Sequence, residues 1–229
     1  MKRYTTEDIR NEFIRKYNEQ EFRILYEGTE WECKTIEIQG ASFLADKDYI
    51  IRKPNYEYAN REIQWYESQS LNVNDIPGDT PAIWKNCATK DGFINSNYGW
   101  CIFSTQNFEQ YKHCINSLIK DNHTRQACMI YNRPSMQIEH NSDGMHDFMC
   151  TYSTQVFLND NKLDYIVFMR SNDCVMGYNN DRAFHKYVQE KMCKDLTEIL
   201  NKEIIPGDII WNAGSLHIYE RHFKFLNNE

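Results

Sequence analysis

Two β-rich runs, Thr151 to Leu158 and Leu163 to Met169, flank the polar stretch Asn159-Asp160-Asn161-Lys162. Asparagine and aspartate tolerate tight-turn backbone and hydrogen-bond to it, so the runs are expected to fold back on one another as a hairpin-like pair. Such a pair must bury one face against something else. Downstream, Ala183 to Leu200 places Ala183, Phe184, Tyr187, Val188, Met192 and Leu196 at helical spacing, and Pro206-Gly207 introduces two final strand-like segments. Gln126 to Tyr131 is a further β-rich run.

The N-terminal half reads as more helical. Thr5 or Thr6 can cap a first helix, with Asp8 three residues after Thr5 and Ile9, Phe13, Ile14 and Tyr17 on one face. Lys34 to Ile38 alternates like a strand, and Glu57 to Ser68 forms a second helix with Tyr58, Ile63, Trp65 and Tyr66 partly buried. Asn72 to Pro81 is a loop, and Phe108, Tyr111, Ile115 and Leu118 predict a third helix. With no repeat or linker in 229 residues, this is one α+β domain, 1–229, of helices flanking a sheet.

A net charge of −7 argues against wrapping a nucleic-acid backbone, but leaves room for a small anion held by local arginines. No apolar run approaches the ~20 residues of a membrane span. The N-terminus lacks an apolar signal core, so a cytoplasmic protein is expected. The eight cysteines contain no Cys-x-x-Cys pair and no zinc-ligand spacing with the seven histidines, so no metal is expected.

One cysteine stands apart. Cys150 lies in Asp147-Phe148-Met149-Cys150-Thr151, followed by Arg170-Ser171-Asn172-Asp173, Gly177-Tyr178-Asn179-Asn180-Asp181 and His217-Ile218-Tyr219. With these belong Thr35-Ile36-Glu37-Ile38-Gln39-Gly40-Ala41-Ser42-Phe43, Arg61-Glu62-Ile63-Gln64-Trp65-Tyr66, Ile94-Asn95-Ser96-Asn97-Tyr98-Gly99-Trp100 and Arg133-Pro134-Ser135-Met136-Gln137. From about Lys34 to Phe223 the chain resembles the thymidylate synthases, and within them the deoxycytidylate hydroxymethylases of T-even-type bacteriophages.

The resemblance implies a mixed, twisted β-sheet flanked by helices, with a sheet face at a homodimer interface. It also implies one-carbon transfer to C5 of a pyrimidine nucleotide, with 5,10-methylenetetrahydrofolate as cosubstrate. C5 is a poor nucleophile until something adds at C6, and a thiolate both adds and leaves well. By position in the motif Cys150 is that nucleophile. Arg170 contacts the thiol and the substrate phosphate, its guanidinium favouring the thiolate, and Ser171 completes the phosphate site. Arg125 reaches across the dimer to the partner's phosphate. His217 and Tyr219 bind the sugar hydroxyl, their i, i+2 spacing pointing both to one face of a strand. Glu62, Tyr98 and Asp181 form the network that organises water and proton transfers, Glu62 doing so around both base and folate; Asp173 contacts the pterin, and Trp84 packs near the folate.

Position 181 is asparagine in thymidylate synthases, where the amide donates to O4 and accepts from N3–H of uracil. Asp181 offers only acceptors when ionised, which suits the cytosine amino group. Structurally it could equally serve as an N-cap before Ala183, as could Asn180. The chain departs from its relatives at Gln126, where a second arginine is usual, near Gly28-Thr29-Glu30, where the basic phosphate-contacting segment is unclear, and in a short tail ending at Glu229.

The expected activity is therefore conversion of dCMP to 5-hydroxymethyl-dCMP with release of tetrahydrofolate. The expected setting is an infected bacterial cytoplasm, with other phage nucleotide-synthesis enzymes as possible partners. Two alternatives stay open: hydroxymethylation of dUMP or reductive methylation by the same chemistry, and a non-catalytic nucleotide-binding subunit.

Overall fold

Local capping sets the first element. In the computed structural model, which describes residues 3–227, the Thr5 side chain accepts from the Asp8 N–H and the Asp8 carboxylate accepts from the Thr5 N–H, a complete capping box. The chain end at Glu229, named above for its short tail, lies outside the described residues. The strands are β1 (Tyr4–Thr5), β2 (Arg23–Leu25), β3 (Cys33–Leu44), β4 (Cys128–Ile130), β5 (Thr151–Asn159), β6 (Lys162–Asp173) and β7 (Ile205–Tyr219). The helices are α1 (Thr6–Asn18), α2 (Tyr56–Ser68), α3 (Ala82–Cys87), α4 (Tyr98–Phe103), α5 (Gln110–Lys120), α6 (Met136–Glu139) and α7 (Gly177–Leu200).

The strands form one mixed sheet in the order β1-β3-β7-β6-β5-β4, with β2 added beside β3. β5 and β6 are the antiparallel pair read from the sequence, joined through Asp160 at φ +57°. β6 and β7 run parallel, which requires a crossover, and α7 supplies it. Phe184, Val188, Met192 and Leu196 of α7 are buried in the same core as Tyr165, Val167 and Trp211 of the sheet. The opposite face carries exposed apolar groups: Ile130 (58% exposed) and Phe168 (37%) are both registered against Ser153.

Three readings of the sequence are corrected. Helix α7 starts at Gly177 rather than Ala183, because its polar first turn finds tertiary partners: Tyr178 donates to the Lys47 carbonyl and Asn179 to the Arg52 carbonyl. Neither Asp181 nor Asn180 is therefore an N-cap; both lie inside the helix. Phe108 falls outside the third helix, 80% exposed and left-handed at φ 62°. The two final strand-like segments are one continuous strand, β7, with Pro206 and Gly207 near its start.

Helix α4 approaches α2 closely enough to demand glycine. A methyl group at Gly99 would lie 1.8 Å from the Tyr66 carbonyl oxygen. Gly99→Ala is expected to destabilise the protein by about 3 kcal/mol or more, read as a fall in thermal midpoint, with Tyr98 displaced alongside.

Candidate active site

The β5–β6 hairpin makes Cys150 and Arg170 cross-strand neighbours, with the Arg170 N–H donating to the Cys150 carbonyl at 2.8 Å. The guanidinium turns back over the loop before β5. Nε donates to the Met149 carbonyl (3.0 Å), Nη2 to the Phe148 carbonyl (2.5 Å), and Nη2 stands 3.7 Å from Cys150 Sγ. The loop is anchored below by the buried carboxylate of Asp147, which accepts from the N–H groups of Asn95 and Ser96 (both 2.7 Å) and from the Ser96 hydroxyl (2.6 Å).

Burial pushes the Cys150 thiol up to about 12, and the Arg170 charge pulls it down by less. The Arg170 guanidinium thus pulls toward the thiolate, but by less than burial opposes it. In this site the sulfur rests protonated, because desolvation of the anion outweighs one guanidinium already shared among three acceptors.

Tyr98 and Asp181 come together above this sulfur's neighbourhood from two helices. Asn97 caps α4 by accepting from the Trp100 N–H, while its amide donates to the carbonyls of Trp65 and Ser70. This directs Tyr98 inward, where its hydroxyl donates to Asp181 Oδ1 at 3.1 Å. Asn172 Nδ2 donates to Asp181 Oδ2 at 2.7 Å. Burial, with the nearby Glu62 charge, raises the Asp181 carboxyl to about 7 against the pull of these two donors.

Glu62 is buried rather than on a solvated helix face. One oxygen, Oε1, accepts from the Tyr58 hydroxyl (2.7 Å) and from Trp84 Nε1 (2.8 Å), and burial raises its carboxyl. Trp84 thus reaches Glu62 directly while packing against the core.

At the ends of β6 and β7, Ser171 pairs with Ser215 and Asp173 with His217. The rings of His217 and Tyr219 stand 4.9 Å apart and nearly perpendicular on one side of β7. Burial lowers the pKa of His217, keeping it neutral around pH 7. Asp173 Oδ1 accepts from the Val175 N–H (2.8 Å), and Oδ2 lies 4.0 Å from His222 Nδ1.

Arg125 is not brought to this cluster within one chain. It is exposed, just before the edge strand β4, beside His113, Lys120 and His123 on a surface pocket. Near Gly28-Thr29-Glu30 the Gly28 N–H donates to the Glu32 carboxylate and Arg23 pairs with Glu37, so this segment offers acidic groups. Sequence reasoning missed Tyr58, Asn172 and Asp147 as members of the site. Tyr58 had a readable signal, one helical turn before Glu62; the buried contacts of the other two are tertiary.

All eight cysteines are free thiols. Among the described residues no group of three or more His, Cys, Asp or Glu is placed to hold a metal, and no helix is long and apolar enough to cross a membrane.

The family model described as thymidylate synthase matches residues 32–229. The chain is 47% identical over 225 residues to deoxycytidylate 5-hydroxymethyltransferase of Enterobacteria phage T4, covering 98% of this chain and 90% of that protein. It is 28% identical over 184 residues to thymidylate synthase of Bacillus licheniformis, covering 77% and 62% respectively. Thermostable thymidylate synthase A from Bacillus subtilis shares the fold, with a TM-score of 0.68 over 97% of this chain and 84% of that one, at 21% identity.

Proposed function

Because this chain belongs to the thymidylate synthase family, we propose that it is a deoxycytidylate 5-hydroxymethyltransferase, converting dCMP, 5,10-methylenetetrahydrofolate and water to 5-hydroxymethyl-dCMP and tetrahydrofolate. The observation that carries the choice of base is a carboxylate, Asp181, with a donor on each oxygen. Both donors favour its ionised, acceptor-only form, which attracts an exocyclic amine and repels a carbonyl oxygen.

The Cys150 sulfur bonds to C6 of the base after giving up its proton, and electron density gathers at C5. Arg170 and Ser171 hold the phosphate, joined by Arg125 of a second copy, while His217 and Tyr219 hold the sugar. The buried oxygens of Glu62 and the Tyr98 hydroxyl order water and move protons beside the base. Once C5 carries the one-carbon unit and has lost its proton, water adds to the resulting exocyclic methylene, and the sulfur leaves C6 as the ring double bond re-forms. Methylenetetrahydrofolate supplies the one-carbon unit when bound. The residues fit it: Asp173 Oδ2 makes no hydrogen bond among the described residues, lies 4.0 Å from His222 Nδ1 and can accept from a pterin N–H, and Trp84 and the exposed Ile83 add apolar surface on α3.

The exposed apolar face carrying Ile130 and Phe168 suits a homodimer that completes two shared sites. The whole chain, 1–229, acts as one catalytic domain in the cytoplasm of an infected bacterium, alongside other nucleotide-synthesis enzymes. Hydroxymethylation returns tetrahydrofolate. With excess dihydrofolate reductase added, NADPH consumption should stay at background while dCMP is consumed; stoichiometric consumption would mean reductive methylation.

A further inference from the structure

Asn172 is 3% exposed, and its two side-chain atoms have unequal fates. Nδ2 donates to Asp181 Oδ2 at 2.7 Å, whereas Oδ1 is buried without a donor. The reverse amide orientation would set Oδ1 against a carboxylate oxygen, which is repulsive while Asp181 is ionised. The first turn of α7 closes on this pair. A methyl at Gly177 would lie 3.3 Å from Asn172 Nδ2 and 3.7 Å from Asp181 Oδ2. Buried acceptors without partners are uncommon, and one beside a ligand-reading carboxylate calls for a donor from the ligand.

We propose that Asn172 is a specificity-determining residue for the base: it fixes the Asp181 carboxylate as an acceptor and presents its own Oδ1 as a second acceptor for the exocyclic amine of cytosine. The amine has two N–H donors, and uracil presents a carbonyl oxygen at the same place. The proposal rests on Asp181 reading cytosine. Asp181 faces Glu62 and Tyr66 from α2, Tyr98 from α4, Cys150 from the loop before β5 and Asp173 from β6. Of these Tyr98 alone donates to it, so the Asn172 amide is one of the two donors that favour the ionised carboxylate.

The test compares Asn172→Ala and Asn172→Asp by kcat/KM for dCMP and for dUMP across pH, together with thermal midpoints. Alanine should lower kcat/KM for dCMP about 10- to 100-fold, reduce the preference over dUMP, and move the acid limb to higher pH. Aspartate keeps the shape but replaces the donor with a second carboxyl, so its dCMP loss near neutral pH and its acid limb should both exceed those of alanine. A purely structural role predicts the opposite order, and an unchanged preference and acid limb in both variants would overturn the proposal. Gly177→Ala, which crowds the amide without removing it, should move both readouts the same way by less; unchanged readouts there, if neither Asn172 variant folds, would overturn it too. Asp181→Asn separates the two claims. If that change leaves the base preference intact, the cytosine reading fails and takes this proposal with it; if it inverts the preference while the Asn172 variants do not alter it, Asn172 alone is refuted.

Discussion

Asp181→Asn should shift the ratio of kcat/KM for dCMP over dUMP by on the order of 10³-fold toward dUMP, the size of discrimination open to a site built around a buried polar match. The substitution is nearly isosteric and keeps an acceptor for Tyr98 or Asn172, so the fold should tolerate it. What changes is chemical: an amide can donate to O4 and accept from N3–H, and a carboxylate cannot. The pH profile gives a second signature. With the carboxyl raised to about 7 by burial and by Glu62, the acceptor form is lost as pH falls through that value, so kcat/KM for dCMP should fall on the acid side of about 7. The asparagine variant acting on dUMP should lack that limb. A ratio unchanged within a few fold would remove Asp181 from base recognition.

Cys150→Ser should lower kcat by about 10⁴-fold or more, as removal of an attacking nucleophile does, while the Kd for dCMP changes by only a few fold. Serine preserves the shape beside Arg170 but is a far weaker nucleophile towards C6. The wild-type thiol, raised to about 12 by burial, should alkylate slowly near neutral pH when the site is free. Retained turnover in the serine variant would make Cys150 a packing residue; lost dCMP binding together with lost turnover would mean its role is structural.

The sequence made several features readable because they are local. The capping box at Thr5 and Asp8 and the turn at Asp160 depend on contacts within a few residues. The hairpin that opposes Cys150 to Arg170 follows from that turn. Features set by distant partners were less readable. The expected helix begins at Ala183, but the polar segment 177–182 before it forms the first turns of α7, its side chains held by Lys47, Arg52, Tyr98 and Asn172. Glu62 belongs to the expected site, but its burial is set by tertiary partners, Tyr58 and Trp84, that close over it. The balance at the thiol is hidden for the same reason: a motif shows which charge is near, but not how much water is missing.

The decisive measurement is mass spectrometry of the nucleotide pool after incubating the protein with methylenetetrahydrofolate and equal amounts of dCMP and dUMP. Gain of one formaldehyde unit on dCMP alone is the expected result. Gain of a methyl group, or any gain on dUMP in preference to dCMP, would contradict the assignment.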